Sequence, residues 1–269
     1  MSFLQAVILG LLQGVTEFVP VSSSAHLVLV PWLLGWPSPG LAFDTFLHLG
    51  TLAAVLAVFW RDLVTLARSW LASLRPGSAT TPHSRMAWAL IIGTIPAVAL
   101  GVVAESYVET LFETPGAVAA LLLVTGALLL TSEWSARRSP PLEEIRPRHA
   151  AVIGLFQGLA IAPGISRSGA TISAGRFLGL PRAEAARFSF LLAVPVIAGA
   201  GATQALKLMD SGLSGESVGL LAAGFLAAFV SGYLVIRGLL SYLQRRGLLP
   251  FAIYCTVAGA LGLAFWLLR

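Results

Sequence analysis

Six stretches of this chain stay apolar long enough to cross a hydrocarbon layer roughly 30 Å thick, which takes about 20 helical residues. They run approximately Phe43 to Trp60, Met86 to Glu105, Ala117 to Trp134, Ala185 to Leu206, Ser217 to Arg237 and Phe251 to Leu268. A backbone in lipid must satisfy its own N–H and C=O groups, so each stretch is expected to be a helix. Composition agrees: 57% hydrophobic residues, 11% charged residues and a mean hydropathy of +0.86 leave too little polar surface for a water-soluble globule of this length. Met1 to Gly10 lack the basic start of a signal peptide, so this end reads as part of the mature protein.

Two further apolar segments are interrupted near their middles. Phe3 to Leu34 breaks at Pro20-Val21-Ser22-Ser23-Ser24, and Ala150 to Leu178 breaks at Pro163-Gly164-Ile165-Ser166-Arg167-Ser168-Gly169. An arm such as Leu4 to Glu17 reaches only about 21 Å at 1.5 Å per residue, too short to span. Each segment is therefore expected to form a re-entrant helical hairpin that enters and leaves on one side, its break facing protein or a water-filled cavity.

The basic residues are unevenly distributed. Arg61, Arg68, Arg75 and Arg85 lie between the first two spans, Arg137, Arg138, Arg146 and Arg148 after the third, and Arg245 and Arg246 after the fifth. By the positive-inside rule these connections face the cytoplasm and both termini lie outside. The net charge of +5 sits in these loops and forms no stripe on a polar face, which argues against a nucleic-acid partner. The single cysteine, Cys255, reads as a buried small residue, with neither a disulfide partner nor zinc spacing.

The broken segments resemble each other: Leu9-Gly10-Leu11-Leu12-Gln13-Gly14 matches Ile153-Gly154-Leu155-Phe156-Gln157-Gly158, each followed by Pro and a Ser-rich turn. Three spans separate them, so the second copy enters from the opposite side. The expected fold is an all-α integral membrane protein forming a single membrane domain over 1–269. Six transmembrane helices and two re-entrant hairpins make an inverted-topology repeat, with halves near 1–135 and 149–269 and a binding site near the midplane where the breaks meet.

The polar residues at the breaks carry the chemistry. Gln13 and Glu17 share one helix face inside an apolar arm, where an ionisable group is costly unless it lines a cavity or is paired. Ser22, Ser23 and Ser24 precede a helix start, which offers N–H groups and a positive dipole to an anion. Ser23 and His26 stand three apart, on one helical face. Nucleophilic catalysis follows from that set, with His26 or Glu17 taking the Ser23 proton; the alternative is that the serines cap the turn and His26 sits among headgroups. In the second break Ser166, Ser168 and Thr171 present hydroxyls beside Arg167, a permanent cation whose planar fork suits phosphate or, as a structural pair, Glu17. Arg176, Arg182 and Arg187 read as topology signals, and Asp44 and His48 as cavity lining or helix packing.

Together, Gln13-Gly14-Val15-Thr16-Glu17-Phe18-Val19-Pro20-Val21-Ser22-Ser23-Ser24-Ala25-His26 and Pro163-Gly164-Ile165-Ser166-Arg167-Ser168-Gly169-Ala170-Thr171 resemble the motifs of the undecaprenyl pyrophosphate phosphatase family linked to bacitracin resistance. The resemblance covers the whole chain. It implies hydrolysis of the C55 isoprenoid diphosphate to the monophosphate, recycling the carrier lipid for peptidoglycan synthesis in the bacterial cytoplasmic (inner) membrane, with a divalent cation (Mg²⁺ or Ca²⁺) as cofactor. It makes Ser23 the candidate nucleophile, Glu17 and His26 its assistants or, for Glu17, a metal ligand, and Arg167 the phosphate holder. Gln13 departs from the two-carboxylate version of the motif and, as a neutral amide, brings no charge to a metal. Substrate contacts are expected from Gln13, Ser22, Ser24, Ser166, Ser168 and Thr171, with water reaching the site from the periplasm. A homodimer is left open, and the rival reading is a transporter or flippase of an isoprenoid phosphate or another anion, since broken helices in inverted repeats are transporter architecture.

Overall fold

The computed structural model describes residues 1–136, 142, 144–211 and 215–269, with the side chains at 41, 105–109 and 204–217 outside the description. Among the described residues there are ten α-helices and no strand: α1 (Phe3–Phe18), α2 (Ser23–Leu34), α3 (Gly40–Ser73), α4 (Pro82–Phe112), α5 (Pro115–Ala136), α6 (Pro147–Leu159), α7 (Arg167–Phe177), α8 (Arg182–Ser211), α9 (Gly215–Arg245) and α10 (Leu249–Leu268). The six long ones, α3, α4, α5, α8, α9 and α10, are each apolar and long enough to cross a membrane. The protein is an all-α integral membrane protein. Large side chains such as Val102, Val103, Leu261 and Leu268 lie fully on its outside, a surface that suits lipid and not water.

The first expected span, Phe43 to Trp60, is longer than the hydropathy pattern suggests, because α3 continues to Ser73 past a kink at Phe59 (φ −103°, ψ 17°). Arg61 and Arg68 are therefore helical and not in a loop. The extension holds because Leu66 is buried and Leu63 and Trp70 pack against the same core, keeping a helical period after the apolar run has ended.

Helix pairing brings the broken segments inside. Helix α1 packs on α9, α6 on α4, α5 on α10, and α3 on both α8 and α9. Lipid tails are as apolar as Leu, so association in a bilayer rests on close approach at small residues. At Gly10 an added Cβ would lie 2.4 Å from the Gly224 carbonyl oxygen of α9, and at Gly154 it would lie 2.1 Å from the Gly93 carbonyl oxygen of α4. The two matched sequence stretches thus make the same kind of backbone contact on different partners.

One end of the bundle is tied by ions. Arg182 donates to both Glu133 oxygens at 2.7 and 2.5 Å, Arg176 lies 3.6 Å from the same carboxylate, Arg187 meets Asp62 at 2.9 Å, and Arg85 pairs with Glu144. Arg176, Arg182 and Arg187 are thus structural ties as well as positive charges at that end. Arg137 and Arg138 fall outside the described residues.

Candidate active site

Both breaks end in a serine that caps the next helix. Ser22 Oγ accepts from Ala25 N at 3.3 Å and contacts Ser24 Oγ at 3.2 Å; Ser166 Oγ accepts from Gly169 N at 3.0 Å and contacts Ser168 Oγ at 3.2 Å. The breaks also touch each other, since Gly164 N donates to Ser24 Oγ and Ser168 Oγ donates to the Val19 carbonyl, each at 3.4 Å. Two helix N-termini therefore meet inside the protein, and their dipoles favour negative charge.

The turns are made by different means. In the second break Gly164 has φ +107°, and a Cβ there would lie 2.4 Å from the Val118 carbonyl oxygen, so only glycine fits. In the first break the positive φ, 69°, falls on Ser22, the only non-glycine among the described residues with that conformation. Such backbone costs about 1–3 kcal/mol and persists only where its surroundings hold it. His26 does so, its backbone N and ring Nδ1 both lying on the Ser22 carbonyl oxygen, at 3.3 and 2.7 Å.

Glu17 is the centre of the polar cluster. Its Oε2 accepts from Ser23 Oγ at 2.6 Å and from Gln13 Nε2 at 3.0 Å, with His48 Nε2 at 3.5 Å, and its Oε1 pairs with Arg167 Nη2 at 3.0 Å. A carboxylate at 6% exposure among apolar helices needs such partners, and the Ser23 contact is short enough to aim the hydroxyl proton at it. The structure gives Ser23 a carboxylate neighbour and not an imidazole one. A carbonyl oxygen only accepts, so His26 Nδ1 carries a proton toward Ser22, and Nε2 of the neutral ring accepts from the Tyr254 hydroxyl at 2.6 Å. Both ring nitrogens are thereby engaged away from Ser23.

A cavity of about 850 Å³ opens beside this cluster. It runs along α2 from Ser22, Ser23 and Ser24, past Leu27, Val28, Pro31 and Trp32, to Trp36 in the connection that follows, a path of about 18 Å for 12 residues at 1.5 Å each. Arg167, His48, Asp44 and Gln157 also line it, together with Glu113 and Pro115. Of the residues singled out from sequence, Ser22, Ser23, Ser24, Asp44, His48 and Arg167 reach this cavity. Glu17 lies behind Ser23 and Arg167, and Gln13 behind Glu17. Ser166, Ser168 and Thr171 do not line it: they cap and tie the second break, Thr171 Oγ1 to the Arg167 carbonyl at 2.7 Å and to Ser189 Oγ at 2.6 Å.

Sequence reasoning passed over three contributors. Tyr254 and Ser189 are hydroxyl residues inside apolar spans. Thr125 of α5 is the third; its Oγ1 donates to the Gly164 carbonyl and accepts from Ser166 N, both at 2.9 Å, fixing the second break. The available signal was a hydroxyl inside an apolar span, which by itself does not say what it faces.

The donor set admits a divalent cation only in part. Among the described residues no three His, Cys, Asp or Glu side chains converge on a point. Both Glu17 oxygens are engaged, while Gln13 Oε1, Gln157 Oε1 and Asp44 Oδ1 are buried oxygens with no hydrogen-bond partner. Oxygens of that kind fit a hard cation that takes most of its ligands from a phosphate substrate and water, and do not fit a closed protein cage.

Residues 6–261 match the family described as bacitracin resistance protein BacA. The chain is 45% identical to an undecaprenyl-diphosphatase of Thermomicrobium roseum over 267 residues, covering 96% of each chain. It is also similar to proteins of the same name from Moorella thermoacetica and Geobacter sulfurreducens, at 45% and 43% identity over the full length of both chains.

Proposed function

This chain belongs to the bacitracin resistance protein BacA family, and from that premise we propose that it is a membrane phosphatase converting undecaprenyl diphosphate to undecaprenyl phosphate and inorganic phosphate. The observation that carries the reading is Ser23 Oγ held 2.6 Å from the buried Glu17 carboxylate, on the wall of a cavity that Arg167 also lines. Such a cavity takes a diphosphate headgroup, while the isoprenoid tail stays in the bilayer.

In the first step the Ser23 hydroxyl oxygen bonds to the terminal phosphorus as its proton passes to Glu17. The bridging P–O bond breaks and the isoprenoid monophosphate leaves. In the second, water adds to the phosphoserine phosphorus, the Oγ–P bond breaks, Glu17 returns its proton to Oγ, and inorganic phosphate leaves carrying both protons of the water. Charge on the transferring phosphoryl oxygens is met by the two helix N-termini and by Arg167, whose existing pair with Glu17 holds it in place. Glu17 and the cavity-lining Asp44 Oδ1 are the groups that would hold a divalent cation, which would supply further neutralisation of the diphosphate. His26 acts as a positioning residue by holding the strained Ser22 turn that presents Ser23.

Purified wild-type protein with added Mg²⁺ or Ca²⁺ is expected to release phosphate from an isoprenoid diphosphate. Ser23→Ala should lower kcat by at least about 10³-fold and Glu17→Ala by about 10²–10⁴-fold. Arg167→Ala should also lower activity. Full activity in Ser23→Ala would remove the serine nucleophile, and no release by wild type would favour transport of the lipid phosphate.

The proposed setting is the inner membrane, with both termini periplasmic, α1–α2 and α6–α7 as re-entrant hairpins of an inverted repeat, and the cavity open to the periplasm. In support, the α2–α3 and α4–α5 connections that line the cavity carry no Lys or Arg, while Arg75, Arg146, Arg245 and Arg246 lie in or beside connections that do not line it. A cysteine at exposed Glu113 should react with an impermeant thiol reagent in intact cells, and one at Ser78 only after lysis. The reverse pattern would invert the topology.

A further inference from the structure

Gln157 is the most exceptional polar side chain in the cavity wall. It is 2% exposed, it lines the cavity, and neither its amide nitrogen nor its amide oxygen has a hydrogen-bond partner. Leaving an amide unsatisfied in a protein interior costs about 1–3 kcal/mol, so a native structure that retains one calls for a reason.

Its counterpart in the other broken segment supplies the reason. The same sequence offset separates Gln13 from Gln157, Ser22 from Ser166 and Ser24 from Ser168. In the first segment Gln13 Nε2 donates to Glu17, one helical turn on. In the second, the residue one turn on from Gln157 is Ile161, which lines the same cavity and accepts no hydrogen bond. The amide is kept and its internal acceptor is gone. A two-hydrogen donor is thus left without an internal acceptor in the wall of the cavity, on the arm whose continuation past the break carries Arg167.

We propose that Gln157 is a substrate-contacting residue of the phosphatase, its amide turning into the adjoining cavity so that Nε2 donates to a non-bridging oxygen of the diphosphate. This rests on the phosphatase reading. Arg167 supplies charge on one side of the bound group, and Gln157 supplies a neutral, directional donor from α6. A lysine or arginine there would add a second cation beside Arg167; an amide gives the hydrogen bond without that repulsion.

The experiment compares purified full-length wild type, Gln157→Met and Gln157→Glu. Phosphate release from an isoprenoid diphosphate is measured alongside the thermal unfolding midpoint with and without inorganic diphosphate. Methionine matches the side-chain length and removes an unsatisfied amide, so Gln157→Met should unfold at the wild-type temperature or above it. Its kcat/KM should nevertheless fall by about 10–100-fold, the range for a hydrogen bond to a charged group. Gln157→Glu should lose more, because a carboxylate repels the diphosphate. The rise in midpoint caused by inorganic diphosphate should shrink in Gln157→Met. Wild-type kinetics and an undiminished diphosphate shift in Gln157→Met would overturn the proposal, as would a fall in its unfolding midpoint matching its loss of activity. If wild type releases no phosphate but its diphosphate shift still depends on Gln157, the contact stands and the phosphatase reading falls.

Discussion

The two breaks share a plan and divide the chemistry. Each has a proline, a serine cap, a second serine two residues on, and an amide-bearing arm packed through glycine on another helix. The first carries the carboxylate and the hydroxyl, Glu17 and Ser23. The second carries the cation, Arg167, and its amide has no carboxylate to bind. The first stores its strain on Ser22, held by a side chain, whereas the second makes its turn with Gly164, at no Cβ cost, and is fixed by Thr125 from a neighbouring span. In the proposed mechanism the first break presents the reactive group, and the second holds a fixed charge in place.

That contrast can be broken most forcefully at Thr125. In Thr125→Val a carbonyl and an N–H of the second break lose their buried partner together, with a loss of about 2–4 kcal/mol expected in unfolding free energy. Calorimetry or denaturant unfolding in detergent would read it. A neutral result would mean that the second break is fixed by something other than α5.

The capping serines offer a smaller and sharper test. Ser22→Ala and Ser166→Ala should each cost about 1 kcal/mol of stability, since each removes one cap acceptor. They should part in activity: Ser22→Ala disturbs the strained turn that presents Ser23, so its kcat should fall more than that of Ser166→Ala. Equal kinetic losses from the two would remove the distinction between a presenting and a holding break.

Much of the fold was legible in the sequence because lipid imposes simple rules. A run of about 20 apolar residues must be a helix, and all six such runs are helices here. The end of α3 was not legible, since its final turns are held by Leu66 and Trp70 on a core that hydropathy does not see. Glu17, Ser23 and Arg167 stood out for a reason equally local: polar groups in an apolar arm are costly, so their presence is informative.

The sequence determined that these groups sit at two breaks in apolar helices. Tertiary structure decided which of them meet. Ser23 and His26 share a helix face at a spacing that suits a pair, yet Ser23 faces Glu17 across the break, and His26 turns to Ser22 and to Tyr254, far away in the chain. The Glu17–Arg167 pair joins residues of the two broken segments, and Gln157, whose amide has no partner, borders a cavity that several helices enclose. Spacing along a helix fixes direction about one axis; which partner lies in that direction depends on how separate helices pack, and in lipid that is set by close contacts between small residues that hydropathy does not encode.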